Sequence, residues 1–259
     1  MTDKNTGGRL YALPQELVDE IYRNVFFEKY VLHYPAYTRP IETPIEELAI
    51  LRVSKAISTD AMMAFYSTST FRYAINMNLL TTQLLQARNA TEKMRKVQFD
   101  ISAYHPQLSL LDLRCEMSCF KYENVANSEI YRGVLDQFGG TDIIRDTMTF
   151  KIEILDHHFA TFLRTPFFQT LKGFQGFKTI TIEVRSRSRY FRRRVDPFIL
   201  AKARQYCCES AMQDIQRQLG ADLGPSVSRH VETDDIFYAG DVIFHPQQYM
   251  AQRNRVKKT

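Results

Sequence analysis

The sequence predicts a mixed α and β fold in which a helical N-terminus packs on a small, mainly parallel sheet with further helices. Three observations carry that expectation. Near the start, Leu13, Leu17, Ile21 and Val25 recur at every fourth residue, the spacing of one helix face. Several later segments alternate apolar and polar residues with period two, as half-buried strands do. Helix-length stretches separate most of these segments, and a strand-helix-strand succession favours parallel, right-handed pairing.

The first helix is expected within Leu10 to Phe26. Pro14 suits its first turn, Val18 widens its apolar side, and Glu16, Asp19 and Glu20 lie toward the positive end of the helix dipole. The stretch from His33 to Pro44 holds three prolines and reads as an extended loop. A second helical region runs from Ile45 to Thr68, with Leu48, Leu51, Ile57, Ala61 and Phe65 among its apolar positions. Phe71, Tyr73, Ile75 and Met77 then share one side of a strand. Further strands are expected around Val97, Phe99 and Ile101, around Phe150, Ile152 and Ile154, around Ile180, Ile182 and Val184, and from Val242 to His245. The segments Leu79 to Lys93 and His157 to Phe174 are long enough to cross over as helices. Asp196 and Pro197 suit the cap and first residue of the longest helix, which Gly220 can terminate. Ser102 to Thr147 is the least legible region, although Asn124 to Phe138 has helical spacing.

The chain of 259 residues, 44% hydrophobic and 24% charged, fits one large globular domain or two tightly associated ones. No run approaches the roughly 18 apolar residues of a membrane span. The opening MTDKNTGGR lacks the apolar core of a secretory signal, so the expected location is intracellular, cytoplasmic or nuclear. Cys115, Cys119, Cys207 and Cys208 match neither a disulfide framework nor paired Cys-x-x-Cys spacing. The net charge of +5 is unevenly spread. Arg185, Arg187, Arg189, Arg192, Arg193 and Arg194 contribute +6, and Arg253, Arg255, Lys257 and Lys258 contribute +4. Taking that +10 from +5 leaves −5 for the remainder, so the chain is not basic throughout but has two basic patches.

The arginines of the first patch interleave with Tyr190 and Phe191, residue types that contact phosphates and stack on bases. No nucleic-acid motif surrounds them, and a solvated loop facing an acidic protein surface is the simpler account. Gly173 to Gly176 spells Gly-x-x-Gly but leads into a strand, and Phe138 to Asp142 reads as a turn. His157 and His158 are adjacent and diverge on a helix. No His-Glu-x-x-His, Gly-x-Ser-x-Gly or kinase-like set occurs. The expectation is a protein without catalytic residues, metal ligands or cofactor.

The segments LPQELVDEIYRNVF and LAILRVSKAISTDAMMAFYSTSTFRY, followed later by QLGADLGP and FHPQQY, resemble the fungal F-box-like proteins, a large and mostly uncharacterised ascomycete group. The resemblance implies an F-box-like helical module at residues 10–75, an α/β interaction region at 76–250 and a basic tail at 251–259. In F-box proteins that module binds a Skp-family adaptor, which tethers it to a cullin-RING ubiquitin ligase, while the remainder selects a protein substrate. By position, Leu13, Pro14, Leu17 and Ile21, with Leu51 and Val53, would face the adaptor. The connection from Phe26 to Ile45 is longer than in a standard F-box, and Ile57 stands where many have tryptophan. The expected function is thus that of a non-catalytic F-box-like substrate adaptor in ubiquitin ligation. The alternative is a module that binds nucleic acid or an acidic partner through the Arg185 to Arg194 loop.

Overall fold

Five consecutive strands lie side by side in the order in which they occur along the chain: β1 (Tyr30–His33), β2 (Thr70–Asn76), β3 (Lys96–Ser102), β4 (Arg145–Ile154) and β5 (Phe177–Ser186). All four pairings among them are parallel. β7 (Tyr238–Phe244) adds antiparallel to β5, and β6 (Ser226–Val231) pairs antiparallel with β7 and ends the seven-stranded sheet. The computed structural model describes residues 10, 12–26, 30–33, 55–76, 88–102, 131–140, 142–154, 159–186, 197–231 and 238–256.

A sheet that winds in one direction through right-handed crossovers places each crossover on the same face. The strand registers identify that face. Phe71, Val97, Met148, Ile180 and Phe244 form one buried row across the sheet, and Tyr73, Phe99, Phe150, Ile182 and Val242 form the next. In the second row the rings stack across neighbouring strands, Tyr73 on Phe99 at 5.0 Å and Phe99 on Phe150 at 5.1 Å. The alternate positions are polar: Arg72, Gln98, Thr149 and Thr181 in one row, and Asp100, Lys151, Glu183 and Asp241 in another. One face of the sheet is therefore core, and the other is hydrophilic across β2 to β5.

The helices are α1 (Gln15–Phe26), α2 (Lys55–Thr68), α3 (Arg88–Thr91), α4 (131–136), α5 (Phe159–Phe162), α6 (Pro166–Gln169), α7 (Pro197–Leu223) and α8 (Pro246–Val256), with a 3-10 turn over Thr170–Gly173. Ala61 and Phe65 of α2, Tyr131 and Leu135 of α4, and Ile215 and Leu219 of α7 join the apolar strand residues in one core cluster. α7 presses closely on β7: a Cβ added at Gly240 would collide with Met212 and lie 3.3 Å from the Cys208 sulfur.

The mixed, mainly parallel architecture agrees with the sequence reading, and four differences have physical causes. β1 and β6 were not anticipated, because YVLH and SVSRHV do not alternate apolar and polar residues. His157 to Phe174 is not one helix. Thr165 accepts from the Phe168 amide as an N-cap and Pro166 starts afresh, which divides the crossover into short turns. Gly220 does not end α7. The helix continues to Leu223 and stops at Gly224, whose φ of +91° is left-handed. Finally, the boundary expected at 75/76 lies inside β2, which pairs with both β1 and β3, and residue 251 lies inside α8. Residues 34–54, which include Leu48, Leu51, Val53 and most of the proline loop, lie outside the described residues, as do 77–87, 103–130, 157, 158 and Asp196.

Candidate functional site

α1 has two apolar edges. Its start is fixed by the Pro14 carbonyl, which accepts from the amides of Leu17 at 3.0 Å and Val18 at 3.2 Å, so Pro14 stands at the cap position rather than inside the first turn. Val18, Tyr22 and Phe26, spaced four apart, are the buried residues, and Phe26 meets Phe65 of α2 edge to face at 5.3 Å. The row expected to form the apolar side is displaced outward. Leu13 is 39% and Leu17 46% exposed, while Ile21 and Val25 are half-buried and Val25 touches the core. At 3.6 residues per turn, Leu17 stands about 140° around the helix from Tyr22, and Leu13 lies just before the helix start. The two aromatic side chains bring more apolar area than leucine or isoleucine, and the core takes them. Pro14 is exposed as well, so Leu13, Pro14 and Leu17 form a short apolar edge in solvent, with Ile21 at its border.

Among the arginines of the first basic patch, Arg185 lies within the described residues, near the end of β5, and pairs with Glu183 at 3.2 Å. Arg187, Arg189, Arg192, Arg193 and Arg194 lie outside them. The second patch attaches at the opposite end of the same strand, where Gln247 of α8 donates to the Gly176 carbonyl at 2.7 Å. At 3.3 Å per residue, these attachment points are ~30 Å apart along β5. On the polar face, Arg72 pairs with Asp100, and Lys151 pairs with Glu183 at 3.5 Å.

Asp241 sits in register with Glu183 on one side and Arg229 on the other. Burial, and next the charge of Glu183, push its carboxyl above the ordinary carboxylate range against the pull of Arg185, Arg229 and Lys151. Native Asp241 thus holds its proton more tightly than the unfolded chain does. Stability is lost as pH rises from about 4 through the native pKa. In urea unfolding followed against pH, Asp241→Asn is expected to gain on the wild type across that rise and to keep the advantage at neutral pH. A difference independent of pH would contradict this assignment.

Sequence reasoning missed Arg145, the buried charge among the described residues. The amides of Asp146 and Thr147 converge on the Arg95 carbonyl at 2.9 and 3.2 Å, the two-against-one pattern of a β-bulge. Simple alternation would place Arg145 on the polar face with Thr147 and Thr149, but at the start of β4 it is wholly buried, as is Phe177, its partner in register at the start of β5. Its guanidinium donates to the Phe138 carbonyl at 3.1 Å and the Thr91 carbonyl at 3.5 Å, closing the ends of α4 and α3. The Phe138 and Phe177 rings flank it at 5.6 and 5.5 Å. Burial lowers its pKa, with Arg95 adding and Glu92 opposing.

The glycine motifs are structural. Gly140 turns with φ of +103°, as the turn reading of Phe138 to Asp142 requires. A Cβ on Gly176 would lie 2.6 Å from the carbonyls of Gly140 and Ile143, while the Gly176 carbonyl accepts from the Arg145 amide at 2.9 Å. QLGADLGP and FHPQQY, distant in sequence, meet in space: a Cβ on Gly224 would fall 2.5 Å from Cγ of Tyr249. His245, at the end of β7, places Nδ1 3.4 Å from the Thr179 hydroxyl.

Fold and site together define a singly wound α/β protein with one sheet face hydrophilic across β2 to β5 and a first helix that carries a second, solvent-exposed apolar edge. Comparison with known proteins finds no matching protein-family model, no matching curated protein and no matching solved structure. Among the described residues, no group of three or more His, Cys, Asp or Glu could hold a metal ion, and no helix is long and apolar enough to cross a membrane.

Proposed function

We propose that this chain is a non-catalytic, intracellular protein-interaction protein of F-box-like ancestry, whose first helix docks in an apolar groove of a Skp-family adaptor and so joins a cullin-RING ubiquitin ligase. The observation that carries this reading is the exposure of Leu17, on the side of α1 away from Tyr22 and Phe26, and of Leu13 just before the helix. An apolar helix edge that the fold does not consume is suited to bury itself against a partner. Pro14 and Ile21 extend the edge, and Leu51 and Val53 complete the set that the F-box resemblance assigns.

Affinity purification from the source cell tests the proposal. The wild type should recover a Skp-family adaptor and a cullin, and Leu17→Asp should lose both by tenfold or more, about 1.4 kcal/mol. Leu17 is 46% exposed, so the substitution should leave the unfolding midpoint within about 0.5 kcal/mol of the wild type. A folded protein that never recovers an adaptor would sink the reading.

A further inference from the structure

The two ends of the polar sheet face differ in how far their charges are already engaged. Across β2 to β5 they pair internally, Arg72 with Asp100 and both Lys151 and Arg185 with Glu183. At the β6 end they do not. Arg229 is exposed and stands in register with half-buried Asp241, yet no ion pair or hydrogen bond joins them among the described residues. Beside them, Val227 is 54% exposed and faces half-buried Ile243 in register. Among the described residues β6 is also the last strand of the sheet, and one row of its backbone donors and acceptors has no described strand opposite it.

We propose that β6 is a docking edge for an extended segment of a protein partner, which adds to the sheet as a further strand and places an apolar residue beside Val227 and a carboxylate beside Arg229. The proposal rests on the reading of this chain as a protein-binding scaffold and names a second contact surface on it. Val227 and Arg229 are two residues apart and project to the same face, so the partner must carry apolar and acidic residues at the same separation. The strand SVSRHV contains a cation and no acid. Pairing with a second copy of β6 would add a second arginine to the edge and supply no carboxylate, which favours an acidic strand over self-association. A charged edge of this kind also resists indiscriminate strand addition and leaves selection to charge. Nucleic acid cannot satisfy the strand edge with peptide hydrogen bonds.

The test uses the full chain and three fluorescent peptides, read by anisotropy: Thr-Glu-Thr-Val-Thr-Glu-Thr, which presents acid on both sides of its valine in either strand direction; the same peptide with lysine for glutamate; and the glutamate peptide N-methylated at alternate residues. The expected result is saturable binding of the glutamate peptide, about tenfold weaker binding of the lysine and N-methylated peptides, and reversal of the glutamate-lysine preference in Arg229→Glu. Arg229→Ala, a milder change at an exposed position, should abolish the preference without reversing it. Equal binding of all three peptides, no saturable binding up to millimolar concentration, a preference unmoved by either variant, or self-association of the chain through β6 would each overturn the proposal. Arg229→Ala leaves α1 untouched, so recovery of the Skp-family adaptor should persist in it, and failure at β6 is distinguishable from failure at α1.

Discussion

Gly224→Ala is expected to destabilise the fold by about 2–5 kcal/mol, combining roughly 1–2 kcal/mol for a left-handed non-glycine residue with about 1–3 kcal/mol for forced overpacking. The native φ of +91° is one cause, and the Tyr249 ring is the other, since its Cγ and Cβ would lie 2.5 and 2.6 Å from the new methyl. Gly220 provides the contrast. It lies inside α7 and a Cβ there meets nothing within 4 Å, so Gly220→Ala should leave stability unchanged or raise it by up to about 1 kcal/mol. Urea unfolding of the two variants side by side separates a helix-ending glycine from a merely tolerated one. Equal midpoints would contradict the placement of α8 against α7.

Arg145→Met should cost about 2–4 kcal/mol: it takes the guanidinium donor from the buried Phe138 carbonyl, worth about 1–3 kcal/mol, removes one of the two donors of the Thr91 carbonyl, which keeps the Met94 amide, worth about 1 kcal/mol, and exchanges a flat cation for a flexible thioether. The cost should appear as loss of order in two crossovers at once, since Thr91 closes α3 and Phe138 follows α4. Hydrogen exchange would therefore show faster amide exchange in Met94 and Phe138, whose N–H groups bond to Thr91 and Leu135, than in β5. Arg145→Lys should recover only part of the loss, because a single ammonium cannot reproduce the guanidinium fork. A silent Arg145→Met would mean that the two helix ends hold themselves.

These two residues also mark the limit of what could be read from the chain. β2, β3, β4 and β5 were legible because one face of each is apolar and the other polar, which imprints a period of two, and β7 from its short apolar run Val242–Phe244. α2 and α7 were legible from helical spacing. Arg145 was not, because it is buried at a position where the alternation of β4 predicts exposure, beside Phe177, which breaks the alternation of β5 in the same way. Choosing between Gly220 and Gly224 needed the position of Tyr249, supplied by a distant segment. On α1 the spacing identified an amphipathic helix but not which row turns inward, since Leu13, Leu17 and Ile21 and Val18, Tyr22 and Phe26 both repeat every four residues. Which row turns inward is decided by where the sheet and α2 lie, and the aromatic row wins.

That division of α1 is the centre of the functional account: one edge holds the helix to the protein and the other is left for a partner. Titration calorimetry with a purified Skp-family adaptor from the same source tests it most directly. The account predicts saturable binding by the wild type, at least tenfold weaker binding by Leu13→Asp and Leu17→Asp, and unfolding midpoints for both variants close to that of the wild type. Binding that is absent in the wild type, or unchanged in both variants, would contradict it.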